Sequence, residues 1–352
     1  MYSTFRIRFG FSLSKNRKSE IQNLKLAGLV AIGFSFAMCG AVASAQQTEK
    51  IFRIGFLDPG TASGTAVMVD AFWQELSKHG WIEGKNITIE YRFAENKGQN
   101  RLDELAAELV PLKIDLIVTT GDGPTFGARK ATPTVPIVMT TSSDPVAQGF
   151  VASLARPGGN VTGLSSLASE LITKRLEVLN DVIPKLTRVG ILRPPGANIA
   201  GDLQLKDLRP AAQALKLKLE EIETQRDPKG LESAFQIAKQ KQVGAIMTVA
   251  IRSFFAERKR IVELAGKYRV PAIYFGKEFV DEGGLMSYGV DYLDLYRRAA
   301  VYVDKILKGA TPADLPVQQA TKFEFIINLK AAKQIGLTIP NRVLERANQV
   351  IR

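Results

Sequence analysis

The sequence predicts an α/β protein made of two doubly wound, Rossmann-like domains. Short apolar runs at residues 114–118, 137–139 and 161–164 alternate with segments of helical spacing, the pattern of a parallel sheet with crossover helices. The same strand–helix rhythm restarts after Ser165. A chain of 352 residues, 45% hydrophobic and 23% charged, is long enough for two ordinary globular domains.

The individual elements follow from the periodicity of apolar residues. In the first half, strands are also predicted at residues 50–57 and 86–93, and helices at 66–78 and 100–109. In the second half, the pattern predicts strands at 188–192, 218–223, 245–249, 271–275 and 285–288, and helices at 167–182, 200–215, 228–241 and 254–268. The last part predicts helices at 291–307 and 329–335, a strand at 323–327 and a terminal helix at 341–351.

Residues 1–45 are predicted to be a cleaved signal peptide. Six Lys and Arg residues precede an apolar run at 26–38, and Ala43-Ser44-Ala45 supplies a small-x-small cleavage pattern. The run is shorter than the roughly 20 residues that a membrane-spanning anchor needs. Cys39 follows Met38, a poor match to a lipoprotein signal. Cleavage after Ala45 lowers the formal net charge from +12 to +7.

Several function classes are disfavoured by what the sequence lacks. Cys39 is the only cysteine and His79 the only histidine, so thiol catalysis, a Ser-His-Asp triad and a Cys/His metal cluster are not expected. Neither GxGxxG nor GxxxxGK[ST] occurs, so no nucleotide cofactor is predicted. A signal peptide stands where a repressor would carry its helix-turn-helix, so no nucleic acid partner is expected. We therefore predict a protein that is not an enzyme and has no cofactor or metal.

A family resemblance is carried by seven segments in order. They read WIEGKNITIEYRFAE, LAAELV, PIVM…SDPV, GFVASLARPGGNVTGLS, KRLEVL, GKEFVDEGGLMSYG and FEFIINLKAAKQIGLTIP. Together they resemble the ABC-transporter substrate-binding proteins that include tryptophan- and tyrosine-binding members. The resemblance spans essentially the whole mature chain.

This resemblance implies the type I periplasmic-binding-protein fold, two α/β lobes joined by a three-crossing hinge. It places lobe 1 at residues 46–165 plus 290–322 and lobe 2 at 166–289 plus 323–352. It further implies a periplasmic, monomeric component of an ABC importer, with a membrane permease as partner. The expected ligand is a small carboxylate, either an aromatic amino acid or a related aromatic or aliphatic acid, enclosed by hinge closure. A sensory protein that delivers its closed form to a membrane receptor is the alternative.

Candidate ligand contacts lie in the loops that follow the strands. A ligand carboxylate is suited to the backbone and hydroxyl donors of Thr120, Gly121 and Ser142, at strand ends where helices begin. Asp144 and Asp291 are candidates for a ligand ammonium, although an aspartate before a proline or at a helix start is often only a cap.

The remaining candidates are Pro59 and Gly60 after the first strand, Ser165 beside the first crossing, Arg193 and Arg252 for an anionic group, and Tyr274 for aromatic stacking. Surface solvation is the plain alternative for the two arginines. A core position is the plain alternative for Tyr274.

Overall fold

Two β-sheets organise the part of the chain that the structure describes. The computed structural model describes residues 50–196, 199–225 and 227–352. The predictions made for residues 1–45, including the signal peptide and Cys39, lie outside these residues. Helices pack against both sheets.

The first sheet is parallel at every pairing of neighbouring strands. In spatial order its strands are β11 (Gln318–Gln319), β5 (Val161–Ser165), β4 (Ile137–Ser142), β3 (Leu116–Thr120), β1 (Phe52–Asp58) and β2 (Ile87–Phe93). Every residue of β3, β4 and β5 is buried, which explains why these strands read as continuous apolar or small-residue runs without polar alternation. Strand β11 was not predicted, because its two glutamines carry no strand pattern.

The second sheet is mixed. In spatial order its strands are β13 (Gln349–Ile351), β12 (Phe323–Asn328), β10 (Met286–Val290), β9 (Ala272–Tyr274), β8 (Ala245–Thr248), β6 (Arg188–Arg193) and β7 (Lys218–Glu223). Only the β10–β12 pair is antiparallel among these strands. The antiparallel pair arises because β12 enters the sheet after the chain has returned from the first one.

The described helices are α1 (Ala62–Lys78), α2 (Gln99–Leu109), α3 (Asp122–Ala131), α4 (Ala168–Val182), α5 (Ile199–Ala214), α6 (Pro228–Gln240), α7 (Arg252–Ala256), α8 (Arg258–Lys267), α9 (Lys277–Asp281), α10 (Tyr292–Leu307), α11 (Leu329–Ile335) and α12 (Asn341–Leu344), with short 3-10 turns at Val110–Leu112 and Pro312–Asp314. Helix α10 packs on α1 and β4, so the chain returns to the first sheet after β10, as the sequence predicts.

The core of the first sheet lies on both of its faces. Successive residues of a strand point to opposite faces. Phe56 therefore packs toward α1, where its ring lies 6.1 Å from that of Phe72. Its neighbour Leu57 belongs to a separate buried cluster with Leu102 and Leu105 of α2. The carboxyl end of β1 is thereby fixed from both sides, just before the loop that begins at Pro59.

The fold-class prediction is confirmed by this architecture. The chain passes from one sheet to the other three times: between Ser165 and α4, between Val290 and α10, and between β11 and β12. Two mostly parallel α/β sheets connected by three crossings are the type I periplasmic-binding-protein fold. The residue boundaries of the two lobes stay a prediction.

The predicted terminal helix at 341–351 is wrong. Helix α12 ends at Leu344, and β13 then pairs with β12 in parallel, with Val350 opposite Ile327. Asn348 directs the change, because its side-chain oxygen accepts a hydrogen bond from the Phe325 N–H at 2.7 Å. Pairing with the open edge of the second sheet has overridden the helical pattern of this segment.

The helix predicted at 254–268 is two helices. The break falls at Glu257, whose φ of −95° and ψ of 11° are not helical, between α7 and α8. Ala256 and Arg258, on either side of the break, contact the loop and helix that follow β1. The break therefore lies where the segment from α7 to α8 contacts the loop and helix that follow β1.

Candidate ligand-binding site

A cavity of about 350 Å³ lies where the carboxyl ends of strands from both sheets meet. Its lining includes Pro59 after β1, Thr120 at the end of β3 and Ser142 at the end of β4, together with Ala250 and Phe275 after β8 and β9. The crevice at the carboxyl ends of parallel strands is where open α/β sheets bind ligands. The volume lies at the lower end of the range for small-molecule pockets.

A buried ion pair spans the cavity floor from one sheet to the other. Arg252 Nε, in α7, lies 3.3 Å from the Asp58 carboxylate at the end of β1. The side chains of Arg252 and Asp58 are 7% and 0% exposed. Asp58 also accepts hydrogen bonds from the Gly60 N–H at 2.7 Å and the Thr120 hydroxyl at 2.6 Å. The carboxylate of Asp58 is thus occupied by protein donors.

Two of the nitrogen atoms of the Arg252 guanidinium are available to a ligand. Among the described residues, neither Nη1 nor Nη2 has a hydrogen-bond partner, although both atoms are buried. The guanidinium carbon lies 4.5 Å from the centre of the Phe255 ring, which fixes the plane of the group. Burial alone would lower the pKa of Arg252, but the electrostatic effects of Tyr296 and Asp58 outweigh it, and the pKa lies above its ordinary value. The site therefore presents a permanent cation with two unused donors.

A carboxylate stands on the first-sheet side of the same cavity. Asp122, the first residue of α3, lines it and accepts hydrogen bonds from the hydroxyl of Ser142 at 2.6 Å and from the backbone N–H and hydroxyl of Ser143. Burial raises the pKa of Asp122 above its ordinary value, against the opposing effect of the serine donors. The cavity thus contains an arginine with free donors and an aspartate held by two serines.

Aromatic rings form much of the remaining wall. Phe255, Phe275 and Tyr292 line the cavity, and their ring centres lie 6.0 to 6.5 Å from one another. Phe126 of α3 also lines it and is 44% exposed. A cavity with two opposite charges and an aromatic wall is suited to a small zwitterion with an apolar or aromatic body.

Comparison with known families decides the assignment of the chain. Residues 62–351 match the model of the family described as ABC transporter substrate binding protein. The chain belongs to this family. It is accordingly a substrate-binding protein of the ABC transporter type, and not an enzyme.

Individual relatives agree with the assignment. The substrate-binding protein is 30% identical over 271 residues to the tyrosine-binding protein of Clostridioides difficile, which covers 76% of this chain and 75% of that one. Its fold is similar to a conserved domain protein from Vibrio cholerae, at 28% identity and a TM-score of 0.78, covering 86% of this chain and all of the other. It is also similar to an ABC domain from Streptococcus pneumonia in complex with L-Trp, at 25% identity and a TM-score of 0.74, covering 85% and 99% of the two chains.

Five of the residues predicted as ligand contacts line the cavity of the substrate-binding protein: Pro59, Thr120, Gly121, Ser142 and Arg252. The described lining does not include the other six. Gly60 donates its N–H to Asp58, and Ser165 is buried within β5. Tyr274 is buried with its ring stacked on Phe279, at 4.7 Å between centres.

The other three predicted contacts are charged residues with local partners. Asp144 accepts hydrogen bonds from the N–H groups of Val146 and Ala147, and Asp291 caps α10 through the N–H of Asp294. Arg193 forms ion pairs with Asp202, Glu221 and Glu223. A ligand role for these three residues stays a prediction that their observed partners do not favour.

Sequence reasoning missed Asp122, Phe255, Tyr292 and Tyr296, all of which line the cavity. Asp122 directly follows the predicted contacts Thr120 and Gly121, and this position in the sequence is the signal that could have identified it. Tyr292 and Tyr296 are four residues apart at the start of α10, a spacing that places both on one face of the helix. The second crossing brings that face back over the cavity.

None of the described helices is long and apolar enough to cross a membrane. No group of three or more His, Cys, Asp or Glu side chains is arranged to hold a metal ion within the same part of the chain.

Glu278, behind the aromatic wall, predicts a pH dependence of stability. Its side chain is buried, Oε2 has no hydrogen-bond partner among the described residues, and burial raises its pKa to about 7. An unfolded glutamate titrates near pH ~4.3. The folded protein therefore binds the proton more tightly, and the stability from this group, fully present below pH ~4.3, is lost as the pH rises toward 7.

The Glu278→Gln variant isolates this effect. Between pH 5 and 7.5 the free energy of unfolding of the wild type should fall by about 2 kcal/mol relative to that of the variant. Urea denaturation of both proteins at the two pH values measures the difference. Parallel pH profiles would show that Glu278 does not carry the titration.

Proposed function

We propose that this protein is the extracytoplasmic solute-binding component of an ABC importer and that its ligand is an α-amino acid with an apolar or aromatic side chain. The observation that carries the proposal is the pairing, in one cavity, of Arg252 with two unpartnered donors and Asp122 with a carboxylate. The family assignment, the tyrosine-binding relative and the L-Trp complex of the pneumococcal domain support it.

The two charges suit the two ends of a zwitterion. Nη1 and Nη2 of Arg252 form a fork that matches the two oxygens of a carboxylate. Asp122 offers a carboxylate to the ligand ammonium, and Ser142 and Ser143 hold that carboxylate in place. The side chain of the ligand would then lie against Phe255, Phe275 and Tyr292. Aromatic contacts contribute beyond the buried area when the rings are offset or edge-on.

Hinge closure is the mechanism we propose for capture and release. The floor of the cavity comes from loops of both sheets, which are connected by three crossings. A ligand that contacts both sides favours the closed arrangement, and the permease would recognise that arrangement. In this proposal lobe 1 comprises residues 46–165 and 290–322, lobe 2 comprises 166–289 and 323–352, and the monomer works in the periplasm after its signal peptide is cleaved.

A thermal-shift screen followed by calorimetry tests the ligand class. The panel contains L-tryptophan, L-tyrosine, L-phenylalanine, L-leucine, 3-phenylpropionate, butyrate and ribose. At a thousandfold excess over the dissociation constant, a ligand stabilises the protein by roughly 4 kcal/mol, which raises the melting temperature by several degrees. We expect shifts with one or more of the amino acids and none with ribose. A shift with 3-phenylpropionate or butyrate alone would contradict the zwitterion model.

The Asp122→Asn variant tests the role of the aspartate directly. If Asp122 receives the ligand ammonium, the variant should bind the amino acid about tenfold more weakly, because a charge-assisted hydrogen bond becomes a neutral one. Binding of an analogue without the amino group should change much less. Calorimetric dissociation constants for each pair of ligands measure the difference, and equal losses for both would assign Asp122 to positioning of Ser142 and Ser143 only.

A further inference from the structure

A second set of contacts, outside the cavity, joins the elements around the first sheet (the first-sheet side) to those around the second sheet (the second-sheet side). It extends from α7 into the start of α8, whose first residue is Arg258. Arg258 Nη1 donates a hydrogen bond to the Gly64 carbonyl oxygen, in the first turn of α1, at 3.1 Å. Its Nη2 lies 3.3 Å from Glu282, and its guanidinium carbon lies 5.1 Å from the centre of the Phe255 ring. Arg258 is therefore held from the second-sheet side and reaches across to the first.

Close packing accompanies this hydrogen bond. A Cβ placed on Gly64 would lie 3.0 Å from the Ala256 Cβ and 3.2 Å from its Cα. A Cβ on Gly60 would likewise lie 3.1 Å from the Ala256 Cβ. Asn96 Nδ2, after β2, donates to Glu257 Oε1 at 3.3 Å. The two sides thus approach each other here as closely as glycine permits.

Of the residues in these contacts, only Asn96 and Phe255 line the cavity. Gly64, Ala256, Glu257 and Arg258 lie outside its described lining. Arg252, six residues before Arg258, faces the cavity and crosses to Asp58. The segment 252–258 therefore has an inner contact at the site and an outer contact beside it.

We propose that Gly64, Ala256, Glu257 and Arg258 form a clamp that sets ligand affinity without touching the ligand. The inference rests on the proposed hinge closure. Contacts that exist only when the two sides are together favour the closed arrangement, and apparent affinity rises with the population of that arrangement. Arg258 is a positioning residue in this scheme. Gly64 lacks a side chain and so leaves the space that the hydrogen bond from Arg258 to its carbonyl oxygen requires.

The first test replaces the arginine. Arg258→Gln removes the charge and the fork, and should raise the dissociation constant about tenfold, through faster release, because a hydrogen bond from a charged donor is lost. Arg258→Lys retains a charged donor and should recover part of the affinity. Arg260→Gln is the matched control, since Arg260 lies on the same helix but pairs with Glu232 and Glu263 on the second-sheet side only.

The second test fills the space between the two sides. Gly64→Ala places a methyl group against Ala256 and should weaken binding about tenfold, while the melting temperature changes little because alanine is the better helix former. Ala256→Gly in the same protein should restore part of the affinity, since the Thr61 Oγ1 at 3.0 Å and the backbone Cα of residue 256 at 3.2 Å stay close to the added methyl group. A merely structural role of Gly64 would instead change stability and affinity together, and the second substitution would not rescue binding.

The readouts are ligand binding and the distance between the two sides. L-tryptophan and L-tyrosine serve as binding probes, measured by calorimetry and stopped-flow fluorescence. Spin labels on Lys85→Cys and Lys239→Cys, two exposed positions on the first-sheet and second-sheet sides, report the distance without ligand. Cys39 is the only native cysteine and lies in the predicted signal peptide, so these labels are specific.

The outcomes separate this inference from the proposed function. Weaker probe binding and longer label distances in Arg258→Gln and Gly64→Ala, with rescue by Ala256→Gly, support the clamp. Unchanged affinity and distances in both variants overturn it while leaving the ligand assignment intact. If the wild type binds neither probe, the amino-acid assignment fails, and the label distances alone still decide for or against the clamp.

Discussion

Replacing Arg252 by glutamine is expected to weaken ligand binding by about a hundredfold or more. The variant loses the charge and both free terminal nitrogens, so a ligand carboxylate would enter a buried site with no cation to receive it. Removing one partner of a buried, hydrogen-bonded charge pair costs about 2–5 kcal/mol at binding interfaces, and each 1.4 kcal/mol corresponds to a factor of ten. Calorimetry with the amino acid that binds the wild type measures the loss.

The same substitution also affects the folded state. Asp58 is fully buried and would keep the Gly60 N–H and the Thr120 hydroxyl but lose its ion-pair partner. We expect the variant to be destabilised by about 3 kcal/mol in urea denaturation. Arg252→Lys retains a positive charge but not the two terminal nitrogens of the guanidinium. Compared with Arg252→Gln, it should therefore recover more of the stability than of the ligand affinity.

Arg193 provides the matched control for this prediction. It is an arginine at a strand end of the same sheet, but its guanidinium is occupied by Asp202, Glu221 and Glu223 and lies outside the cavity lining. Arg193→Gln should change the dissociation constant less than about twofold, since surface and rim ion pairs contribute little. A similar loss of affinity in both variants would indicate a general effect of positive charge and would contradict the specific role of Arg252.

The sequence alone does not predict which of these two arginines faces the cavity. Both follow an apolar strand, and nothing in residue type or spacing separates them. The difference is that acidic residues of β7 and α5 reach Arg193, whereas Arg252 turns toward β1. Such partners come from distant parts of the chain and are known only when the sheets are assembled.

Asp122 and Asp144, which follow β3 and β4, are a second example of a choice that depends on tertiary partners. Asp144 was one of two predicted candidates for the ligand ammonium, with Asp291, but it caps the turn at Val146 and Ala147, a local use that the following proline already indicated. Asp122, the first residue of α3, lies in the cavity because β3 and β4 are neighbours and Ser142 and Ser143 hold its carboxylate. The choice of side chain within the loops depended on tertiary hydrogen bonds.

The regular part of the fold was largely predictable, for a physical reason. Central parallel strands such as β3 and β4 are buried on both faces and read as short apolar runs between turn residues. The errors lie where pairing with another element overrides local pattern. Residues 349–351 form an edge strand because β12 offers a free edge, and the helix at 254–268 breaks at Glu257 where the two sides of the molecule meet.

Gly289→Ala should be among the most destabilising single substitutions in the chain. A Cβ at this position of β10 would lie 1.8 Å from the Phe275 carbonyl oxygen and 2.7 Å from its carbonyl carbon. Both obstacles are backbone atoms, so no side-chain rotation can relieve the clash. We expect a loss of more than about 4 kcal/mol in the free energy of unfolding, or a protein that does not accumulate in folded form.

The control for this substitution is Gly266→Ala in α8. No atom lies within 4 Å of a Cβ built there, and alanine is preferred in helices, so this variant should be stabilised by about 0.5–1 kcal/mol. The two variants thus add the same methyl group with opposite expected signs, which urea denaturation of both proteins can measure. A wild-type midpoint for Gly289→Ala would mean that β9 and β10 can separate at this point. Phe275 and the second crossing next to it would then be free to move apart, and the aromatic wall of the cavity would not be fixed by the sheet.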